Sequence, residues 1–129
     1  MSDDGGLTGP MSGAEHQAFG PVQVDTVRVG IGRIKRLVYP PGLRWSVDLR
    51  PIVGTELCEH AHVGFLAQGR IEGVYPDGCT FAYAAPQAVS IDPGHDAWVA
   101  GDEAAVLVQF DFEGRTTEVL GLPARHAHD

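Results

Sequence analysis

Three runs of this chain set a series of large apolar residues against an alternating second series, with a period of two. Leu43, Trp45, Val47 and Leu49 alternate with Arg44, Ser46, Asp48 and Arg50. Cys79, Phe81 and Tyr83 alternate with Thr80, Ala82 and Ala84, and Val106, Val108, Phe110 and Phe112 with Leu107, Gln109 and Asp111. Such a period sends successive side chains to opposite faces, so each run reads as a strand with one face buried. Turn signals cut between the runs at Tyr39–Gly42 (YPPG), Arg50-Pro51, Tyr75–Gly78 (YPDG), Asp92–Gly94 (DPG) and Ala100–Glu103 (AGDE). Nowhere do apolar residues hold a long helical period behind a cap, so no substantial helix is expected. Short strands with dense turns predict an all-β sandwich or barrel.

A length of 129 residues suits one domain, and 43% hydrophobic residues suffice to bury a core. Residues 1–20 are rich in Gly, Ser, Asp and Pro without periodicity, and read as a flexible arm. The barrel is expected over residues 21–118, with a tail over 119–129. The net charge of −8 argues against nucleic acid or an anionic membrane as partner, because both require a basic face. No apolar run reaches the length of a membrane span, and the start lacks the basic and apolar regions of a secretory signal. A cytoplasmic location is the expectation. Two cysteines, Cys58 and Cys79, do not make a disulfide framework.

The chemistry concentrates in Cys58–Arg70, CEHAHVGFLAQGR. On one continuous strand Glu56, Cys58, His60 and His62 point the same way. A carboxylate, a thiol and imidazoles form a competent metal set, suited to Zn, Fe, Ni or Mn, with the thiolate favouring Zn. The alternative is a polar lining whose imidazoles bond to one another or to Glu56. Cys58 could act as a nucleophile only if His60 or His62 lowered its pKa, and otherwise reads as a small buried apolar residue. Glu56 and His62 could form an acid–base pair without a metal, or a structural ion link. Trp45, Phe65, Tyr83, Trp98 and Phe110 either line a cavity or fill the core. Arg44 and Arg50 read as solvated. His126 and His128 lie in the tail and are set aside as ligands. No glycine-rich loop follows a strand and opens a helix, which excludes a nucleotide site of that kind.

From about Arg28 to Phe112 the chain resembles the cupins, small barrels of the jelly-roll class. Pro41-Gly42 precedes a strand, GFLAQGRIEGVYPDG resembles the family's hairpin, and APQAVSIDPGHDAWVAGDEAAVLVQF resembles its second motif. The first motif, G-x5-H-x-H-x3-4-E-x6-G, can be laid on this chain in two registers. Starting at Gly54, His60 and His62 form the histidine pair, but Leu66 or Ala67 then falls at the glutamate and too few residues remain before Asp77-Gly78. With Gly69 as the closing glycine, a full strand over 70–75 fits. His62 then stands at the glutamate position, with Glu56 and Cys58 where the two histidines belong. Strand length favours this register. In the second motif Ala97 takes the last histidine position and His95 sits two residues earlier, with a parity that points it at the same space.

The resemblance implies a cupin-type jelly-roll barrel, one domain, with Glu56, Cys58, His60, His62 and His95 facing its cavity. The first reading of the residues is a small organic metabolite bound in that cavity, with a metal-dependent or acid–base reaction of oxygenase, isomerase or cyclase type as its enzymatic form. The competing reading is a metal-free binding or sensor module, since this fold hosts many functions. The resemblance also implies a homodimer paired along barrel-edge strands.

Overall fold

The computed structural model describes residues 6–126. Nine strands run in chain order: β1 (Glu15–Phe19), β2 (Val22–Val29), β3 (Gly32–Tyr39), β4 (His62–Gln68), β5 (Arg70–Val74), β6 (Thr80–Ala84), β7 (Gln87–Ile91), β8 (Asp96–Ala100) and β9 (Ala105–Asp111). Two short α-helices, α1 (Arg50–Val53) and α2 (Thr116–Leu120), and a π-helical turn over Trp45–Leu49 join them. A six-stranded sheet has the order β1-β2-β3-β9-β4-β7, and a three-stranded sheet the order β6-β5-β8. Every pairing is antiparallel. Among the described residues no helix is long and apolar enough to cross a membrane.

Alternation sets which faces meet. Leu66 of β4 and Leu107 of β9 are register partners and almost fully buried, and they join Ile71 and Val99 of the smaller sheet in one core. Truncating either leucine to alanine costs about 2–5 kcal/mol. Between the sheets the chain turns at Gly69, whose φ of +82° suits glycine. A Cβ there would lie 2.7 Å from the Ala104 carbonyl oxygen, so the corner has no room for a side chain. The strand that follows is β5, as the Gly69 register requires.

The expected strand over Leu43–Leu49 is absent. Trp45–Leu49 forms a π-helical turn that runs into α1 and stops at Gly54 in the left-handed region. Side-chain bonds replace the ladder: Arg44 N–H donates to the Asp48 carboxylate at 2.9 Å, and the Ser46 N–H and Oγ–H both donate to Asp96 at 3.0 and 2.8 Å. The alternation still carried burial information, since Leu43, Trp45 and Leu49 are core residues. Five residues of the N-terminal arm, Glu15–Phe19, form β1 against β2. Residues 1–5 of that arm and 127–129 of the tail lie outside the described residues.

Candidate functional site

A cavity of about 400 Å³ lies between the sheets. Its wall is apolar at Leu37, Trp45, Leu49 and Leu107, and polar at Lys35, Cys58, His62, His95 and Gln109.

The chain between α1 and β4 is not a strand, which breaks the expected parity. Cys58 instead makes an isolated bridge to His95: its N–H donates to the His95 carbonyl at 2.8 Å, and its own carbonyl accepts from Gly94 N–H at 2.7 Å. This bend brings Cys58 and His62 together across four residues. Cys58 Sγ is 3.6 Å from His62 Nε2. The His62 and His95 rings meet edge-on with centroids 5.3 Å apart. One donor atom from each of Cys58, His62 and His95 lies within 4.8 Å of the others.

Of the five ligands expected from the sequence, these three converge and two do not. Glu56 is turned to solvent with its side chain 86% exposed, 3.5 Å from Arg50, and is not part of the cavity wall. His60 is exposed at the cavity rim. The acid–base pair of Glu56 with His62 is therefore not assembled. The reason is local: Gly54 ends α1, Thr55 Oγ–H donates to the Leu57 carbonyl at 2.7 Å, and β4 begins only at His62.

Both imidazoles have their tautomer set from behind. His95 Nδ1 is 2.7 Å from the Asp92 carbonyl oxygen, which can only accept, so Nδ1 carries the hydrogen. His62 Nδ1 donates likewise to Gln109 Oε1 at 2.8 Å. The Nε2 lone pairs are left facing forward, the arrangement typical of metal-ligating histidines. Burial, reinforced by His95, pushes His62 down to about 3, and burial lowers His95 as well, so both rings are neutral at neutral pH. Burial pushes the Cys58 thiol up to about 11. A thiol so raised keeps its hydrogen at neutral pH, which weighs against the nucleophilic reading of Cys58. It donates its hydrogen to His62 Nε2 unless a cation displaces that proton.

The aromatic residues divide. Trp45 and Trp98 border the cavity, and Trp98 is fixed by its Nε1–H on Glu72 at 3.2 Å and by the Arg44 guanidinium 4.4 Å from its ring centroid. Arg44 is thus held rather than simply solvated. Tyr83 packs against the core outside the cavity wall, its hydroxyl on the Ser90 carbonyl at 3.0 Å. Phe65 and Phe110 point outward, 46% and 49% exposed. Register explains this: Gly64 and Leu66 pair with Gln109 and Leu107 on the inner face, while Phe65 pairs with Val108 on the outer one.

Sequence reasoning missed Gln109, Lys35 and Tyr39. Lys35 and Gln109 are direct register partners on the inner face, so the lysine stands one strand away from the residue holding His62. Arg33 donates twice to Asp111, whereas Lys35 Nζ is 3.9 Å from the same carboxylate. Burial lowers the Lys35 pKa, partly offset by Asp111. Tyr39 lines the cavity, and burial, with Cys58 beside it, raises its pKa so that the hydroxyl keeps its hydrogen. The usable signal was parity: Leu107, Gln109 and Asp111 form the more polar side of β9, which suits a cavity wall.

No protein-family profile matches the sequence, and no curated protein matches it. Solved structures do match. A cupin-2 domain protein from Rhodospirillum rubrum superposes with a TM-score of 0.56 at 19% identity, over 81% of this chain and 72% of that one. A cupin 2 conserved barrel domain protein from Salinispora arenicola gives 0.54 at 16% identity, over 87% and 92%. An oxalate decarboxylase from Lactobacillus farciminis, in a formate complex, gives 0.52 at 12% identity over 88% of this chain but 40% of its own. The two-sheet architecture and these superpositions agree: the chain has the cupin fold, as a single barrel.

Proposed function

We propose that this protein is a small metal-dependent enzyme that binds a small organic anion in its barrel, over a cation held by Cys58, His62 and His95. The observation that carries the reading is the convergence of three donor atoms within 4.8 Å at the cavity wall. One thiolate and two imidazoles suit zinc best, and three protein ligands leave a position for substrate. Zinc, when bound, supplies a Lewis acid that polarises a substrate oxygen.

The chain's own residues supply the rest. Gln109 and the Asp92 carbonyl orient the two rings. Lys35 offers a positive charge to an anionic substrate group, and the Tyr39 hydroxyl offers a hydrogen bond. Trp45, Leu37 and Leu49 enclose the apolar part of the substrate and exclude water. Zinc has no redox chemistry, so isomerase or cyclase chemistry is favoured over an oxygenase.

Elemental analysis of protein purified without a His tag tests this. The reading requires a metal content that falls by one equivalent in His62→Ala. A metal-free protein that retains an organic ligand through purification would support the binding-module alternative instead.

The partner we propose is a second copy of the chain. β1 is exposed at every residue on the sheet edge, and Phe65 and Phe110 expose apolar surface on the same sheet. Sedimentation of wild type against Phe65→Glu checks it: a dimer that dissociates is expected, and a monomeric wild type contradicts it.

A further inference from the structure

We propose a second divalent-cation site, formed by Asp77, Cys79 and His126, that staples the C-terminal segment onto the loops supplying Cys58 and His95. It is independent of the cavity reading.

The donors come from two distant stretches of chain. Asp77 and Cys79 lie in the turn between β5 and β6, where Cys79 N–H donates to Asp77 Oδ1 at 2.9 Å and fixes the turn. His126 arrives from the tail. Its ring stacks on Tyr75 with centroids 3.9 Å apart at 11°, and its backbone N–H donates to the Pro93 carbonyl at 3.4 Å. So placed, His126 Nε2 is 3.3 Å from Asp77 Oδ2. One donor atom from each of the three residues lies within 4.8 Å of the others. The other ring nitrogen, Nδ1, lies 4.0 Å from the Asp92 carboxylate, too far for a hydrogen bond but near enough to favour a positive charge beside the ring.

The chemistry is one thiolate, one imidazole and one carboxylate, which suits zinc or another cation of similar softness. None of the three residues lines the barrel cavity, and the role proposed for the site is positional. The neighbouring Arg125 pairs with Glu59 at 2.5 Å, and its guanidinium covers Gly94. Glu59 follows Cys58, and Gly94 precedes His95. A cation on His126 therefore clamps the tail across both segments that build the cavity site.

The test uses tag-free, full-length protein titrated with Co(II), whose thiolate charge-transfer absorption reports cysteine ligation. In Cys58→Ser only the Cys79 thiol remains, so the two sites are read apart. We expect a band that saturates at one equivalent in Cys58→Ser and disappears in Cys58→Ser/Cys79→Ser and in Cys58→Ser/His126→Ala. In parallel, the wild type should fall by one equivalent in Cys79→Ser and in His126→Ala, which keeps the test valid if Cys58→Ser does not fold. Zinc at about ten times its Kd should slow tryptic cleavage after Arg125 about tenfold, because binding lowers the released-tail population by that factor. Zinc should not protect His126→Ala. Absence of a Cys79-dependent band, its persistence in His126→Ala, or cobalt lost on dialysis as an adventitious ion only would overturn the proposal.

Discussion

His62 donates its Nδ1 hydrogen to Gln109 Oε1 at 2.8 Å, and this bond decides which nitrogen faces Cys58. Gln109 sits on β9, far from the Cys58 loop in sequence, so the sheet itself sets the tautomer. Replacing Gln109 with leucine frees the ring to rotate and to carry its hydrogen on either nitrogen. Metal affinity, measured by competition with a chelator, should fall by about 10- to 100-fold while the fold is retained. Unchanged affinity would mean that the bond is structural only.

Among the described residues Lys35 is the one lysine or arginine in the cavity wall, beside Gln109 in register. With benzoate and benzyl alcohol as probes, calorimetry on the wild type should favour the carboxylate. Lys35→Met should reduce that preference and leave metal content unaltered. Equal binding of both probes to the wild type would contradict an anionic ligand.

Asp25 and Arg36 are register partners across β2 and β3, 2.5 Å apart and almost fully buried. Burial alone would raise the Asp25 pKa, but hydrogen bonds from His16 and Arg36 outweigh it and hold the carboxyl below its ordinary 3.8. A carboxyl depressed in the folded state stabilises above its unfolded pKa, and that contribution is lost as pH falls through the folded value. Urea unfolding should therefore show stability declining below about pH 4. Asp25→Asn should weaken this limb, to which the depressed Asp111 carboxyl also contributes, and should cost about 3–5 kcal/mol at neutral pH, because Arg36 is left buried without its counter-charge. A loss well under 1 kcal/mol would show that the pair contributes nothing net.

Alternation and turn signals were enough to read the β architecture, because a strand with one buried face must write its period into the sequence. The strands around Phe81 and Val108 formed where that period placed them, but on β9 Phe110 of the apolar series faces outward while Leu107, Gln109 and Asp111 line the cavity. Leu43–Leu49 shows the limit: its apolar residues are buried, yet Asp48 and Asp96 supply bonds that favour a helical turn. Gly69 fixed the motif register, because the corner into β5 cannot carry a side chain. The site was legible in part. His62, Cys58 and His95 converge, but Glu56 and His60 do not, since the parity argument assumed a strand that begins only at His62. Gln109 and Lys35 come from strands far away in sequence, and only register places them beside His62. His126, set aside as a tail residue, is half-buried against Tyr75.

The central claim is that Cys58, His62 and His95 bind one cation. Co(II) substitution of Cys79→Ser protein tests it most directly, because Cys58 is then the only thiol in the chain. The expected result is a thiolate-to-cobalt charge-transfer band that saturates at one equivalent and is lost on further replacement of Cys58, His62 or His95. Absence of the band in folded Cys79→Ser protein, or its persistence in a Cys79→Ser/His62→Ala variant, would contradict the account.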